Sequence, residues 1–272
     1  YLYPARDLLF YYADIKGALL TAQRMGLLRA LIEKDKGASI TVITTIDAFL
    51  DGLASPSRLK KQRIVLAGGD VVDLTGLEKN LTEMGYERES QVEGPGQYAV
   101  RGGIVDIFPL TEELPVRIEL WGDEIDSIRS FDTESQRSVE NLDKVTIYPA
   151  SENWEESMEA VSFLEYFPKD RSILFLDEPQ RLQEAAESVE QEYFHSQESR
   201  NASDTDHSEN QCLTVYETKD IIDEMNLYSG IAMTTLESKC GLFHVREIYS
   251  IQTKGVNPYN NSFELLTRDL KR

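Results

Sequence analysis

The segment most restrictive for the fold is 94–137. It is dense in β-branched and aromatic residues and broken at short intervals by Gly94-Pro95-Gly96, Gly102-Gly103 and Gly122-Asp123. Strand formers separated by turn residues predict a sheet rather than a helical layer. Strands are expected over 98–108, 116–121 and 125–131, with Gly122-Asp123 as a tight hairpin turn between the last two. Residues 63–67, 86–92 and 144–148 also read as strands. Residues 77–84 read as a short helix stopped by Gly85. The stretch 62–150 is therefore expected to be an α+β unit of mostly strands and one helix.

The flanking sequence follows a different rhythm. Ile15, Ala18, Leu19, Ala22, Met25, Leu28 and Leu31 recur at spacings of three and four, predicting a helix over 15–32. A β-branched strand at 40–44 and a helix at 46–53 follow, before Ala54-Ser55-Pro56-Ser57 breaks the pattern. Beyond Pro149, residues 158–167 read as helix. Residues 172–176 read as a continuous apolar strand of the kind buried on both faces. Leu182, Ala185, Ala186, Val189 and Tyr193 form the stripe of another helix. The polar run 196–211 reads as a mobile surface loop. A helix at 216–227, strands at 230–235 and 243–252, and a helix over 263–271 capped by Asn261 complete the reading. The opening α/β piece is too short to close its own core. The economical arrangement is a split α/β domain, residues 1–61 with 151–272, and 62–150 inserted as a second domain.

Charge narrows the function. The chain carries 28 basic and 48 acidic residues, a net −20, and such a balance disfavours direct binding to phosphate backbones. Cys212 and Cys240 are far apart and read as free thiols in a reducing cytoplasm. His195, His207 and His244 lack metal-ligand spacing with them. No secretory leader and no apolar run of membrane-spanning length is seen, so a cytoplasmic location is expected. The start at Tyr1, without methionine, reads as a fragment of something longer.

Catalytic signatures are weak. Ile173-Leu174-Phe175-Leu176-Asp177-Glu178 resembles a Walker B strand, but many buried strands end in carboxylates. Its companion, a glycine-rich phosphate loop ending in lysine and a hydroxyl residue, does not occur in the sequence. No enzymatic activity, cofactor or metal is expected of this chain; an ATPase or nucleotide-binding remnant is the alternative.

A binding signal is stronger. In the strand 116–121, Val116, Ile118 and Leu120 fall on one face and Arg117, Glu119 and Trp121 on the other. Trp and Arg are enriched at binding hot spots. Alternation alone leaves open whether Trp121 packs under a neighbour and Arg117 pairs with Glu119 or Glu124. Arg101 precedes two glycines, which suggest a bulge that turns it toward the same face. A structural salt bridge is the plainer reading of Arg101.

Several motifs carry a family resemblance: Tyr-Pro-Ala-Arg-Asp-Leu-Leu-Phe at 3–10, Gly-Gln-Tyr-Ala-Val-Arg-Gly-Gly-Ile-Val-Asp-Ile-Phe-Pro at 96–109, and Arg-Ile-Glu-Leu-Trp-Gly-Asp-Glu-Ile-Asp-Ser-Ile-Arg-Ser-Phe-Asp at 117–132. Ser-Gln-Arg-Ser at 135–138, Tyr-Pro-Ala-Ser-Glu at 148–152 and Tyr-Asn-Asn-Ser-Phe-Glu-Leu-Leu at 259–266 add to it. Together they resemble the amino-terminal, UvrB-like module of the bacterial transcription-repair coupling factors (Mfd). The resemblance implies a degenerate helicase-like, P-loop-derived α/β domain that has lost nucleotide binding. It also implies that the insert binds the excision-repair protein UvrA through Arg101, Arg117 and Trp121. The implied role is to recruit UvrA to stalled transcription complexes for nucleotide excision repair. In the full-length proteins, the module's further partners are their own carboxy-terminal domain and, through other domains, RNA polymerase. Relative to the family, the segment before Tyr1 is missing and the connection 152–163 is short, so part of the first domain's sheet is expected to be absent. Arg117→Ala is expected to weaken docking by orders of magnitude while leaving thermal stability nearly unchanged.

Overall fold

The computed structural model describes residues 1–6, 18–35, 37–151, 160–202, 215–236, 240–251 and 262–270. It is a mixed α/β structure with several separate sheets. At the amino end, β1 (Leu2–Tyr3) is followed by α1 (Ala18–Glu33) and lies parallel to β2 (Ile43–Thr44). Helices α2 (Ile46–Leu50) and α3 (Pro56–Gln62) follow. Helix α3 begins where the sequence predicts a break. Ser55 caps it, its Oγ accepting from the Arg58 amide, and Pro56 occupies the first turn, where no amide partner is needed. The cap and the proline were therefore the start of a helix.

Helix α1 buries Met25, Leu27 and Leu28, but Leu19 of the predicted stripe is exposed. The buried face instead takes in Arg24. Its guanidinium lies 2.9 Å from Asp51 and 4.4 Å above the Tyr3 ring, and it donates to the Pro4 carbonyl at 2.8 Å. A buried charge is tolerable when it is paired in this way.

The stretch 64–150, the expected insert, begins with β3 (Ile64–Ala67) and α4 (Leu74–Glu83), the latter capped by Asp73. Six strands then form one sheet in sequential order: β4 (Glu87–Arg88), β5 (Gln97–Arg101), β6 (Ile104–Ile107), β7 (Val116–Trp121), β8 (Glu124–Phe131) and β9 (Ser138–Asn141). All neighbours are antiparallel except β4 and β5. Strand β10 (Lys144–Ile147) returns antiparallel to β3. One face of the six-stranded sheet carries Tyr98, Val105, Ile107, Val116, Ile118, Ile125 and Ile128. They pack with Leu77 and Leu81 of α4 and with Leu66, Val145 and Ile147 of the β3–β10 pair. This core draws only on residues between 64 and 150.

Several local expectations change here. The strand expected over 98–108 is a hairpin, β5 and β6, and Gly102-Gly103 is its two-residue turn rather than a bulge. Gly102 sits at φ 61, a conformation that side-chain-bearing residues resist. The strand expected over 86–92 shrinks to two residues, and β9 appears where none was predicted. The irregularities of the sheet lie instead in the β7–β8 register, between Glu119 and Leu120, and in the β8–β9 register, between Ser130 and Phe131.

After the insert, a 3-10 turn (Phe163–Tyr166) replaces the helix expected over 158–167, of which 158 and 159 lie outside the described residues. Strand β11 (Ile173–Asp177), α5 (Pro179–Ala202), α6 (Thr218–Met225), β12 (Ser229–Met233) and α7 (Phe263–Leu270) complete the order. Strands β11 and β12 pair in parallel. Leu174 and Leu176 pack with Leu182, Val189, Ile221 and Ile222, but Ile173 and Phe175 face solvent. The expectation of burial on both faces is therefore wrong, because β11 has helices on one side only among the described residues. The predicted loop 196–211 is helical as far as Ala202, since α5 runs on without an apolar stripe to mark it; residues 203–211 lie outside the described residues. Residues 243–251 form no strand. Asn261 and Cys212 also lie outside the described residues.

The cores meet around Tyr148, which belongs to the amino-end cluster with Tyr3, Leu53 and Phe163. Its hydroxyl donates to Glu33 at 2.9 Å, and its carbonyl accepts from buried Tyr86 of the insert. Nearby, Arg29 of α1 donates to Thr111 Oγ1 at 2.9 Å and to Glu112 at 2.6 Å. These contacts tie the insert to the rest of the chain, away from its outer sheet face. No described helix is long and apolar enough to cross a membrane.

Candidate docking face

The outer face of the six-stranded sheet holds the three residues singled out in sequence. Cross-strand partners point to the same side of a sheet. The registers align Ala99, Asp106, Arg117 and Arg129 in one row and Arg101, Ile104, Glu119 and Ser127 in the next. Trp121 follows two residues after Glu119, at the end of β7. Its side chain is open to water, at 84 % exposure. The β5–β6 turn reaches the same end of β7. Gly103 accepts from the Leu120 amide at 2.7 Å, and a Cβ at Gly103 would stand 3.0 Å from the Leu120 carbonyl oxygen. That close approach explains a glycine there.

The arginines are not two independent surface cations. Asp106, whose side chain is 1 % exposed, holds both. Arg117 grips it in a fork, Nε to Oδ1 at 2.7 Å and Nη2 to Oδ2 at 2.9 Å. Arg101 Nη2 donates to the same Oδ2 at 2.5 Å. Arg117 also lies 4.4 Å over the Phe131 ring and donates to Gln136 Oε1 at 2.9 Å. The Asp106 hydrogen bonds push the Arg117 pKa above its already high ordinary value, so the guanidinium is permanently charged. Arg117 thus pairs with Asp106, not with the Glu119 or Glu124 considered from sequence. Glu119 bonds Arg129 and Ser127 instead. The side chain of Arg117 is 15 % exposed and that of Arg101 44 %. Removing Arg117 would leave the buried carboxylate with Arg101 alone, which argues against the expectation that its loss leaves stability untouched.

Sequence reasoning missed Asp106 and Gln136. Asp106 had a readable signal: an aspartate between Val105 and Ile107, buried residues on either side. Gln136 had none, since its φ of 58 is fixed by the loop around it.

The Walker-B-like carboxylates do something else. Glu178 sits at φ 51, and its Oε1 accepts from the Thr235 amide at 2.8 Å and hydroxyl at 2.6 Å. Those bonds pull its pKa below the ordinary carboxylate range. The group joins the end of β11 to the end of β12. Among the described residues, no cluster of His, Cys, Asp and Glu could hold a metal ion.

Comparison with known proteins bears on the same region. The family model of the UvrB interaction domain matches residues 64–153. The chain is 38 % identical over 151 residues to the transcription-repair-coupling factor of Bacillus subtilis (strain 168). It is 39 % identical over 153 residues to that of Staphylococcus haemolyticus (strain JCSC1435). Each match covers 56 % of this chain and 13 % of the relative, so the similarity concerns a small part of much longer proteins. The chain is thus similar to the UvrB interaction domain over residues 64–153 and to the transcription-repair-coupling factors over about half its length.

Proposed function

We propose that this chain is a protein-docking module whose outer sheet face binds UvrA, and that it serves to recruit UvrA during transcription-coupled excision repair. The observation that carries the reading is an indole left in water beside a braced arginine cluster, at one end of a sheet whose other face is a closed core. Exposed aromatic and arginine side chains placed together are what binding hot spots use. The match to an interaction domain over this sheet and the resemblance to coupling factors support the choice of partner. Arg101 supplies charge-assisted hydrogen bonds to a carboxylate, and Trp121 supplies apolar area. Truncating a hot-spot aromatic typically costs at least about 2 kcal/mol, or some thirtyfold in affinity. Trp121→Ala should therefore weaken UvrA binding by at least that factor in a calorimetric titration, with the melting temperature unchanged. Affinity within twofold of wild type would refute the assignment.

The rest of the chain fits a split, degenerate helicase-like domain, with residues 1–61 and 151–272 as its two parts and 62–150 inserted. Parallel pairing of β1 with β2 and of β11 with β12 supports that reading. The chain has no catalytic role in this proposal: Glu178 is committed to Thr235, and the sequence has no phosphate loop. Titration with ATP and magnesium should give no saturable heat, and saturable binding would revive the nucleotide reading. The net charge of −20 argues against duplex DNA as a ligand. Contacts with RNA polymerase would belong to other parts of a longer protein.

A further inference from the structure

The family resemblance implies the same role for Arg101 and Arg117, but their surroundings divide them. Every guanidinium nitrogen of Arg117 is engaged within the chain. Nε and Nη2 bond Asp106, Nη2 also bonds Gln136 Oε1, and Nη1 reaches the Gln136 carbonyl at 3.4 Å. Gln136 is itself fixed. Its Nε2 donates to the Thr133 carbonyl and its amide to the Asp132 carbonyl, each at 2.8 Å. The Asp132 carboxylate accepts from the Ser135 amide and hydroxyl at 2.8 and 2.7 Å. By contrast, Arg101 makes a single hydrogen bond among the described residues, to Asp106. A guanidinium has five N–H donors, so most of those on Arg101 are open to a partner.

Resting on the docking reading, we infer that Asp106 and Gln136 are positioning residues. They hold Arg117 as a fixed buttress and, through the shared Asp106 carboxylate, aim the open fork of Arg101 at one carboxylate on the partner. The three groups then present a net charge of +1, from two cations and one anion, and not the +2 of a bare arginine pair. Preorganisation of this kind lowers the cost of ordering side chains on binding. The partner surface implied is a single acidic group beside an apolar seat for Trp121, not an extended acidic patch.

Positioning by Asp106 and simple electrostatics give opposite signs for one substitution. Asp106→Asn removes a negative charge, raising the local net charge from +1 to +2. If charge alone governs binding to an acidic site, the variant binds UvrA more tightly. If Asp106 positions the arginines, it binds at least tenfold more weakly. The loss should appear as a faster off-rate, with the on-rate unchanged or raised, because long-range attraction sets the on-rate and close geometry sets the off-rate. A variant that merely unfolds would lower the active fraction without changing the off-rate of the molecules that bind. Gln136→Gly covers the case in which Asp106→Asn does not fold. Glycine accepts φ 58 without strain, so the loop is kept while the Oε1 acceptor is lost. It should raise the off-rate several-fold at an unchanged melting temperature.

Surface plasmon resonance with immobilised UvrA, the 272-residue chain as analyte and Trp121→Ala in parallel, decides the matter. Loss of binding in Trp121→Ala together with faster release in whichever positioning variants fold is the expected result. If Trp121→Ala loses binding but the folded positioning variants bind as tightly as wild type or tighter, the positioning role is overturned and the docking face stands. If Trp121→Ala also binds normally, the docking face itself is refuted, and the positioning role with it.

Discussion

The sheet of the insert and the β11–β12 pair both contain apolar strands, but the structure treats them differently. In the insert, Ile118 of β7 meets Val105 on one side and Ile128 on the other, with the α4 helix packed in the same core. In the β11–β12 pair, Leu174 and Leu176 are packed, while Phe175 remains 66 % exposed and Ile173, Ile231 and Met233 lie open beside it. The registers place Phe175 opposite Ile231, so the open residues share one face. An apolar strand states a demand for cover, and whether that demand is met depends on distant parts of the chain. The two sheets also spend their exposed aromatics differently: Phe175 stands among other apolar groups, whereas Trp121 stands near an organised set of charges.

The sharpest test of that contrast compares two truncations. Ile118→Ala should destabilise the chain by about 3 kcal/mol, because a buried site both loses transfer energy and leaves a cavity. Phe175→Ala should change stability by less than about 0.5 kcal/mol, as exposed substitutions usually do. Urea denaturation would read both, and a large loss from Phe175→Ala would show that its face is covered in solution.

Within the docking face, the two arginines should separate next. Arg117→Ala leaves the buried Asp106 carboxylate with only Arg101, and should cost about 2–3 kcal/mol of stability. Arg101→Ala removes a half-exposed side chain and should cost under about 1 kcal/mol. Equal losses in thermal melts would erase the distinction between buttress and open fork.

The smallest effect concerns pH. The Ser135 hydroxyl and amide hold the Asp132 carboxyl below its ordinary pKa. A depressed folded-state pKa stabilises the folded form above the unfolded value, about 3.9 for aspartate, and that contribution fades as pH falls through the folded pKa. The stability gap between wild type and Asp132→Asn should be constant above about pH 5 and close below it. A gap that persists in acid would show that the loop is held by shape rather than by the carboxylate.

Much of the insert was legible because its signals are local. Alternation along 116–121, the turn at Gly122-Asp123 and the stop at Gly85 depend only on neighbouring residues, and each appears in the structure. The faces of Arg117 and Trp121 followed from the same alternation. What binds Arg117 did not, because Asp106 reaches it through a register that only the folded sheet fixes. The Gly102-Gly103 turn was misread because two glycines serve equally for a bulge and a reversal. Helix α3 is hidden in the sequence because Ser55-Pro56 serves equally as an ending and as a beginning. The α1 stripe misled at Leu19 because Arg24, paired with Asp51, takes a place in the core that polarity would deny it.

The pairing of β3 with β10 sets Ile64 opposite Ile147, so the strands that open and close the 64–147 stretch run side by side. A cassette whose two ends emerge as neighbours can be gained or lost without pulling apart what it is plugged into. Bridging Arg63 to Tyr148 with a few flexible residues would span a short gap, but it would also strip Tyr148 and Arg29 of the Tyr86 and Glu112 contacts that tie them to the excised piece.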